Sequence, residues 1–319
     1  MPAAKDSPAL SSELWPALPL AEWKSTRDTL HLWTQMAGKL RLKLAPPVNH
    51  WWHVALYVTA HGLSTGAMPY GDRTISASFD LLRHVFVLSC SDGRTVTIQL
   101  YPRSVADFYR EFRSALHLLG VDVKLWSTPV EVVNPIPFEK DDVHASYDKV
   151  YVERFARILQ TITPILQEFR GKFIGKCSPV HFFWGSFDLA VTRFSGRRAP
   201  ERPGADPITA EAYSHEVISQ GWWPGGDSPF GPSVDYPAFY AYAAPEPAGF
   251  DAAKVKPVQA FYHGEVHEFL LPYDYVRNAS DPKQALTDFV ETTYDAGATL
   301  GKWDRDALER VDGKARRIA

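Results

Sequence analysis

The groups best suited to chemistry lie between positions 180 and 250 of the 319-residue chain. His181, Asp188, His215 and Glu216 offer two imidazoles and two carboxyls, the side chains that serve as general acids, general bases or metal ligands. A histidine would carry the proton or the metal, and a carboxylate would orient it or ligate beside it. Arg193 and Arg197 stand close in sequence, with Arg198 next to them, and a guanidinium can grip a carboxylate or phosphate through two parallel N–H donors. Trp184, Ser186, Thr192, Tyr240 and Tyr242 would line the pocket. The set predicts an enzyme acting on a small anionic metabolite. The alternative is a module that binds a small molecule or partner without chemistry, the aromatic residues giving affinity and the arginines orientation. The sequence names no cofactor; nitrogen and carboxylate ligands would suit a divalent metal such as zinc or ferrous iron.

Alternation places much of this set. Along Trp184 to Phe194, Ser186, Asp188, Ala190 and Thr192 fall on one face of a strand, and Phe187, Leu189, Val191 and Phe194 mainly supply the other. Small polar groups on a buried face cost stability, as functional sites do, whereas a solvated face would explain them equally. His50 and His53 are three apart, so on a strand they would point oppositely and share no ion. His215-Glu216 has no second histidine at the fourth position after His215, so the metalloprotease helix motif is absent. Cys177, four residues before His181, is expected to be a buried structural thiol.

The elements that must carry these residues come in two similar series. Gly38-Lys39-Leu40-Arg41-Leu42-Lys43-Leu44-Ala45-Pro46-Pro47-Val48-Asn49-His50-Trp51-Trp52 resembles Gly171-Lys172-Phe173-Ile174-Gly175-Lys176-Cys177-Ser178-Pro179-Val180-His181-Phe182-Phe183-Trp184. Helical spacing precedes both, over 25–36 and 151–170. A hairpin follows each, at Asp92-Gly93 and at His263-Gly264, and then a helix, capped by Ser104 in one case and opened by Pro282 in the other. The expected fold is α+β, two tandem diverged repeats of helix, antiparallel strands and helix that share a core in a pseudo-twofold arrangement. The repeats would span 1–126 and 149–319, joined by a linker at 127–148 containing Pro129, Pro135 and Pro137. The second copy alone carries long Pro/Gly-rich insertions, 195–207 and 221–237.

Composition narrows the partners. With 34 Lys and Arg against 37 Asp and Glu, no cationic field favours nucleic acid. Two cysteines, Cys90 and Cys177, are too few for a disulfide framework and fit a reducing, cytoplasmic setting. Neither a leader over 1–20 nor a bilayer-spanning run is expected, and the oligomeric state is left open. Pro179 to Arg198, with Pro47 to His53 upstream, resembles a bacterial family of uncharacterised proteins, domain of unknown function 5996, from Trp15 to about Trp303. That resemblance implies a bacterial cytoplasmic protein and no particular activity.

Overall fold

The computed structural model describes residues 13–229, 231–311 and 314–315; most of the stretch expected to lack a leader, residues 1–12, lies outside the described residues. Helix α1 (Leu20–Leu44) outruns the span 25–36 that its apolar spacing marks. Trp23, Leu30, Trp33, Met36 and Leu40 are fully buried, but so are Thr29 and Gln35, and Arg27 and His31 nearly so, on its other sides. A helix surrounded by protein shows no clean apolar stripe, which is why periodicity understates it.

The first half continues with β1 (Tyr57–Val58), β2 (Gly62–Ser64), β3 (Met68–Tyr70), β4 (Arg73–Asp80), β5 (Val85–Cys90) and β6 (Thr95–Gln99), all antiparallel, in the order β1-β2-β4-β5-β6 with β3 also on β4. Gly93, at φ 90°, makes the expected β5–β6 turn. Helix α2 (Val105–Leu118) starts where the Ser104 hydroxyl accepts the Asp107 N–H at 3.1 Å. The second half holds α3 (Lys149–Gly171), β7 (His181–Phe183), β8 (Asp188–Arg198), α4 (Pro207–Ala212), β9 (His215–Trp223), β10 (Ala238–Ala244), β11 (Phe261–His263), β12 (Glu268–Pro272), α5 (Tyr273–Arg277) and α6 (Pro282–Leu300). Its sheet runs β7-β8-β9-β10-β12-β11, also antiparallel. On α6 the expected stripe Leu286, Phe289, Val290, Thr293 and Tyr294 is buried throughout.

The fold is α+β. The two sheets meet edge to edge where Leu56 and Phe182 exchange backbone hydrogen bonds of 2.8 and 2.7 Å. One apolar cluster runs through both halves, from Trp33 and Phe108 to Phe155, Trp222 and Phe289. The segment 127–148 packs into it through Phe138 and Tyr147, and Gln35 bonds the Val130 backbone in both directions.

The halves share an element order but not a strand order. In the first, the hairpin strand nearest β4 is its leading strand β5; in the second, the strand nearest β10 is the trailing strand β12, with β11 at the edge. The connections supply the reason. Only residues 81–84 link β4 to β5, so they must lie side by side, whereas 245–260 let the chain reach past and return.

Candidate functional site

Strand register assembles a polar face on the second sheet, opposite α3 and α6. Asp188, Ala190 and Thr192 of β8 share it with Ser219 and Gly221 of β9, Tyr240 and Tyr242 of β10, and Leu270 of β12, since Ala190 pairs Gly221, Gly221 pairs Tyr240 and Tyr240 pairs Leu270. Glu268, two residues from Leu270, shares the face. The alternation holds from Asp188 to Phe194, ahead of a register shift between Phe194 and Arg198, and this corrects the expected sidedness of Phe194. Phe194 lies on the polar face against Val217 and Ala244, and Arg193 points into the core.

Asp188 is positioned by the β7–β8 turn. Phe187 sits there at φ 62° with its ring buried and stacked on Phe155, centroids 5.3 Å apart, while His31 donates to the Gly185 carbonyl at 2.8 Å. The Asp188 carboxyl, itself buried, accepts hydrogen bonds from the Ser186 and Tyr240 hydroxyls. Tyr240 reaches it because β9 has no side chain in the way. A Cβ on Gly221 would fall 2.4 Å from the Tyr240 hydroxyl and 2.1 Å from the Leu189 carbonyl. One row on, the Thr192 and Ser219 hydroxyls bond at 2.8 Å.

Two further carboxyls face Asp188. Burial first, and then the Asp188 charge, push Glu268 up to about 8 and Glu131 to about 7. Glu131 comes from the segment 127–148; its stem is exposed, but its carboxyl tip lies 2.3 Å from where a Gly185 Cβ would stand. Burial raises Asp188 as well, against its two hydroxyl donors, and raises Tyr240 and Tyr242 well above the ordinary phenol. The insertion 221–237 covers this face directly, while 195–207 reaches it through Arg202, which lies over the Tyr213 ring. Tyr213, just after α4, bonds the Tyr242 hydroxyl at 3.0 Å, and Val234 and Tyr236 pack on Tyr240 and Leu270.

Of the residues expected at the site, Asp188, Ser186, Thr192, Tyr240 and Tyr242 come together. His181 shares their face, pairing with Ala190, fully buried and held near 3 by burial and by the charges of Arg41 and Arg170. The others do not join them. Arg193 is sandwiched between Phe169 and Tyr294 at 3.4 and 4.2 Å and donates to the Phe169 carbonyl, so it cannot meet a ligand on the polar face. Glu216 accepts from Ser195 and Arg197, and Arg197 also donates to the Gly301 and Lys302 carbonyls just past α6, which ties both away from the Asp188 face. His215 lies by His50, ring centroids 5.7 Å apart, and His50 accepts from Lys176 at 2.6 Å. Trp184 is structural: its indole N–H donates to the Val54 carbonyl at 2.8 Å, and its ring fills the space beside Gly38.

The composite metal set His181, Asp188, His215 and Glu216 therefore does not converge, and no group of three or more His, Cys, Asp or Glu among the described residues is arranged to hold a metal ion. Nor does His53 join His50, since its Nδ1 accepts the Val48 N–H instead. Burial pushes the Cys177 thiol up to about 11, against a nucleophilic role. Glu131, Glu268, Ser219, Gly221 and Tyr213 were not among the expected site residues. Glu268 alone left a trace, as a carboxylate within an otherwise apolar strand two residues from Leu270. A cleft of about 450 Å³ lies elsewhere, lined by Asp251, Lys256, Phe261 and Tyr262 among others.

The family model for DUF5996, a family of unknown function, matches residues 15–310. The chain belongs to the DUF5996 family. The match takes in both halves of this DUF5996 protein and all the residues of the polar face. No curated protein and no solved structure matches the chain. Among the described residues of this DUF5996 chain, no helix is long and apolar enough to cross a membrane.

Proposed function

We propose that the polar face of the second sheet is a small-molecule site centred on Asp188, and that the protein is an enzyme moving protons there. One observation carries this reading: the buried Asp188 carboxyl is fixed by two hydroxyl donors, and burial together with its charge pushes the neighbouring Glu131 and Glu268 up to about 7 and about 8. Carboxyls held near neutrality both give and take protons at physiological pH, the condition for general acid–base work. The arginines expected to bind an anion are committed elsewhere, so the anionic substrate is not kept. Non-catalytic binding at the same face is the second reading, favoured by its aromatic lining.

The test is a thermal-shift screen of small metabolites against the wild type and Asp188→Asn, with each hit then incubated and followed by NMR. Hits that stabilise the wild type and lose their effect in the variant support the site. Chemical turnover of a hit separates enzyme from binder; hits indifferent to Asp188→Asn would refute the assignment. We further propose that the two halves descend from one duplicated unit, supported by their shared helix, strand, hairpin and helix order.

A further inference from the structure

At the far end of β8 from Asp188, an amine is held against an imidazole. The Lys176 ammonium donates to His50 Nε2 at 2.6 Å, its one hydrogen bond among the described residues. The other side of the ring fixes that direction, because Nδ1–H donates to the Glu211 and Ala212 carbonyls at 3.1 and 3.0 Å. Nε2 therefore keeps a lone pair aimed at the amine. Lys176 is exposed and makes no ion pair among the described residues; its Nζ lies instead over the Trp52 and Phe194 rings, 5.5 and 5.1 Å from their centroids. Arg198 and His215 stand opposite each other in the β8–β9 register, also without an ion pair among the described residues. Desolvation first, and then the charges of Lys176 and Arg198, lower the His215 pKa, so the three groups act on one another. The exposed Glu211 is the remaining charged group around them. Backbone strain marks the same place, since His50 and Trp51 follow one another at φ 57° and 61°.

We propose that Lys176 is a nucleophilic amine, with His50 as its base, that captures a small anionic aldehyde as an imine. Such a site needs a nucleophile, a base within hydrogen-bond reach and a third group that orients the base, here the two carbonyls on Nδ1. The Lys176 ammonium passes one proton to His50, and its freed lone pair bonds the carbonyl carbon while the C=O π pair moves to oxygen. That oxygen takes a second proton from the nitrogen and the one held by His50, and leaves as water. The nitrogen's remaining pair closes a protonated C=N bond, and nothing is oxidised or reduced. Partial burial lowers Lys176 from the ordinary lysine value, which enlarges the share of free amine at neutral pH. Burial, with the charges of Lys176 and His215 behind it, also lowers His50 against its two carbonyl acceptors, so Nε2 is largely unprotonated at pH 7. Arg198 and His215 supply the donors that a carboxylate or phosphate on the aldehyde would meet. The site is separate from the Asp188 face, and each assignment stands if the other fails.

Reductive trapping on the full chain tests this. The protein is treated with glyoxylate and cyanoborohydride at a series of pH values, with acetaldehyde as the neutral comparison, and labelling at each lysine is followed by peptide mass spectrometry. Lys176 should react about tenfold faster at pH 7 than the exposed Lys124 and Lys254, and its rate should level off at lower pH than theirs. His50→Gln should remove most of that advantage and leave Lys124 and Lys254 unchanged, while Arg198→Gln should slow glyoxylate and not acetaldehyde. Near-UV circular dichroism checks that each variant keeps its fold, and the wild-type comparison decides alone if one does not. Labelling of Lys176 no faster than Lys124 and Lys254 would overturn the proposal, as a structural tether between Lys176 and His50 would give. Fast labelling unchanged in a folded His50→Gln would overturn the base. An advantage over Lys124 that is equal for glyoxylate and acetaldehyde would overturn the anionic aldehyde.

Discussion

At the scale of single residues, position on the sheet decides role more than chemical type does. Arg193 and Asp188 belong to the same strand, yet one is buried among rings and carbonyls and the other sits opposite two carboxyls. Counting alternation gave Asp188, Ala190 and Thr192 their face from sequence, whereas residues 184–187, expected in the strand, form a turn from which Ser186 meets Asp188. Alternation could not give Glu131, which arrives from 57 positions before Asp188 (188 − 131), because no local pattern records a long-range approach. Glu268 makes a pH prediction. Its folded pKa of about 8 lies above the ordinary 4.5, so the folded state binds the extra proton between those values. Its contribution is full below about 4.5 and is lost as pH rises through 8. Melting temperatures from pH 5 to 8.5 should fall more steeply for the wild type than for Glu268→Gln. The difference is on the order of 1–3 kcal/mol once screening by solvent is discounted.

Elements meet through deliberate absences of side chain. Gly221 leaves the gap that Tyr240 crosses to reach Asp188, so Gly221→Ala should cost about 1–3 kcal/mol and remove Asp188-dependent ligand responses. Tyr240→Phe, which keeps the ring and deletes the hydroxyl, should cost less in stability and affect the same responses. Gly38 gives α1 a flat place for Trp184, whose ring lies 2.3 Å from a would-be Cβ. Gly38→Ala should therefore lower the denaturant midpoint by the equivalent of about 1–3 kcal/mol without touching the polar face. Elements with one buried stripe, such as α2 and α6, were legible because one periodicity describes them. The all-round burial of α1 and the brief strand at Tyr57–Val58 were not, since tertiary contacts on several sides define them.

At the scale of the whole molecule, the main apolar cluster of the described residues runs through both halves, the sheets meet edge to edge at Leu56 and Phe182, and 127–148 packs on that cluster through Phe138 and Tyr147. The order helix, strands, hairpin and helix was legible in both halves, but strand order also depends on loop lengths and differs between them at the second hairpin. Because Trp33, Phe155 and Trp222 belong to one cluster, the halves should not fold apart. Residues 1–126 expressed alone should lack near-UV circular dichroism, and the full chain should unfold in a single transition; a folded, independent first half would contradict the shared core.

The central claim, that Asp188 is the centre of a coupled acidic site, is tested most directly by carbon-13 NMR titration of the side-chain carboxyls. The account predicts Glu268 and Glu131 resonances titrating near 8 and 7, both moving down in Asp188→Asn. Two glutamates titrating near the ordinary 4.5 in the wild type, unmoved by that substitution, would contradict it.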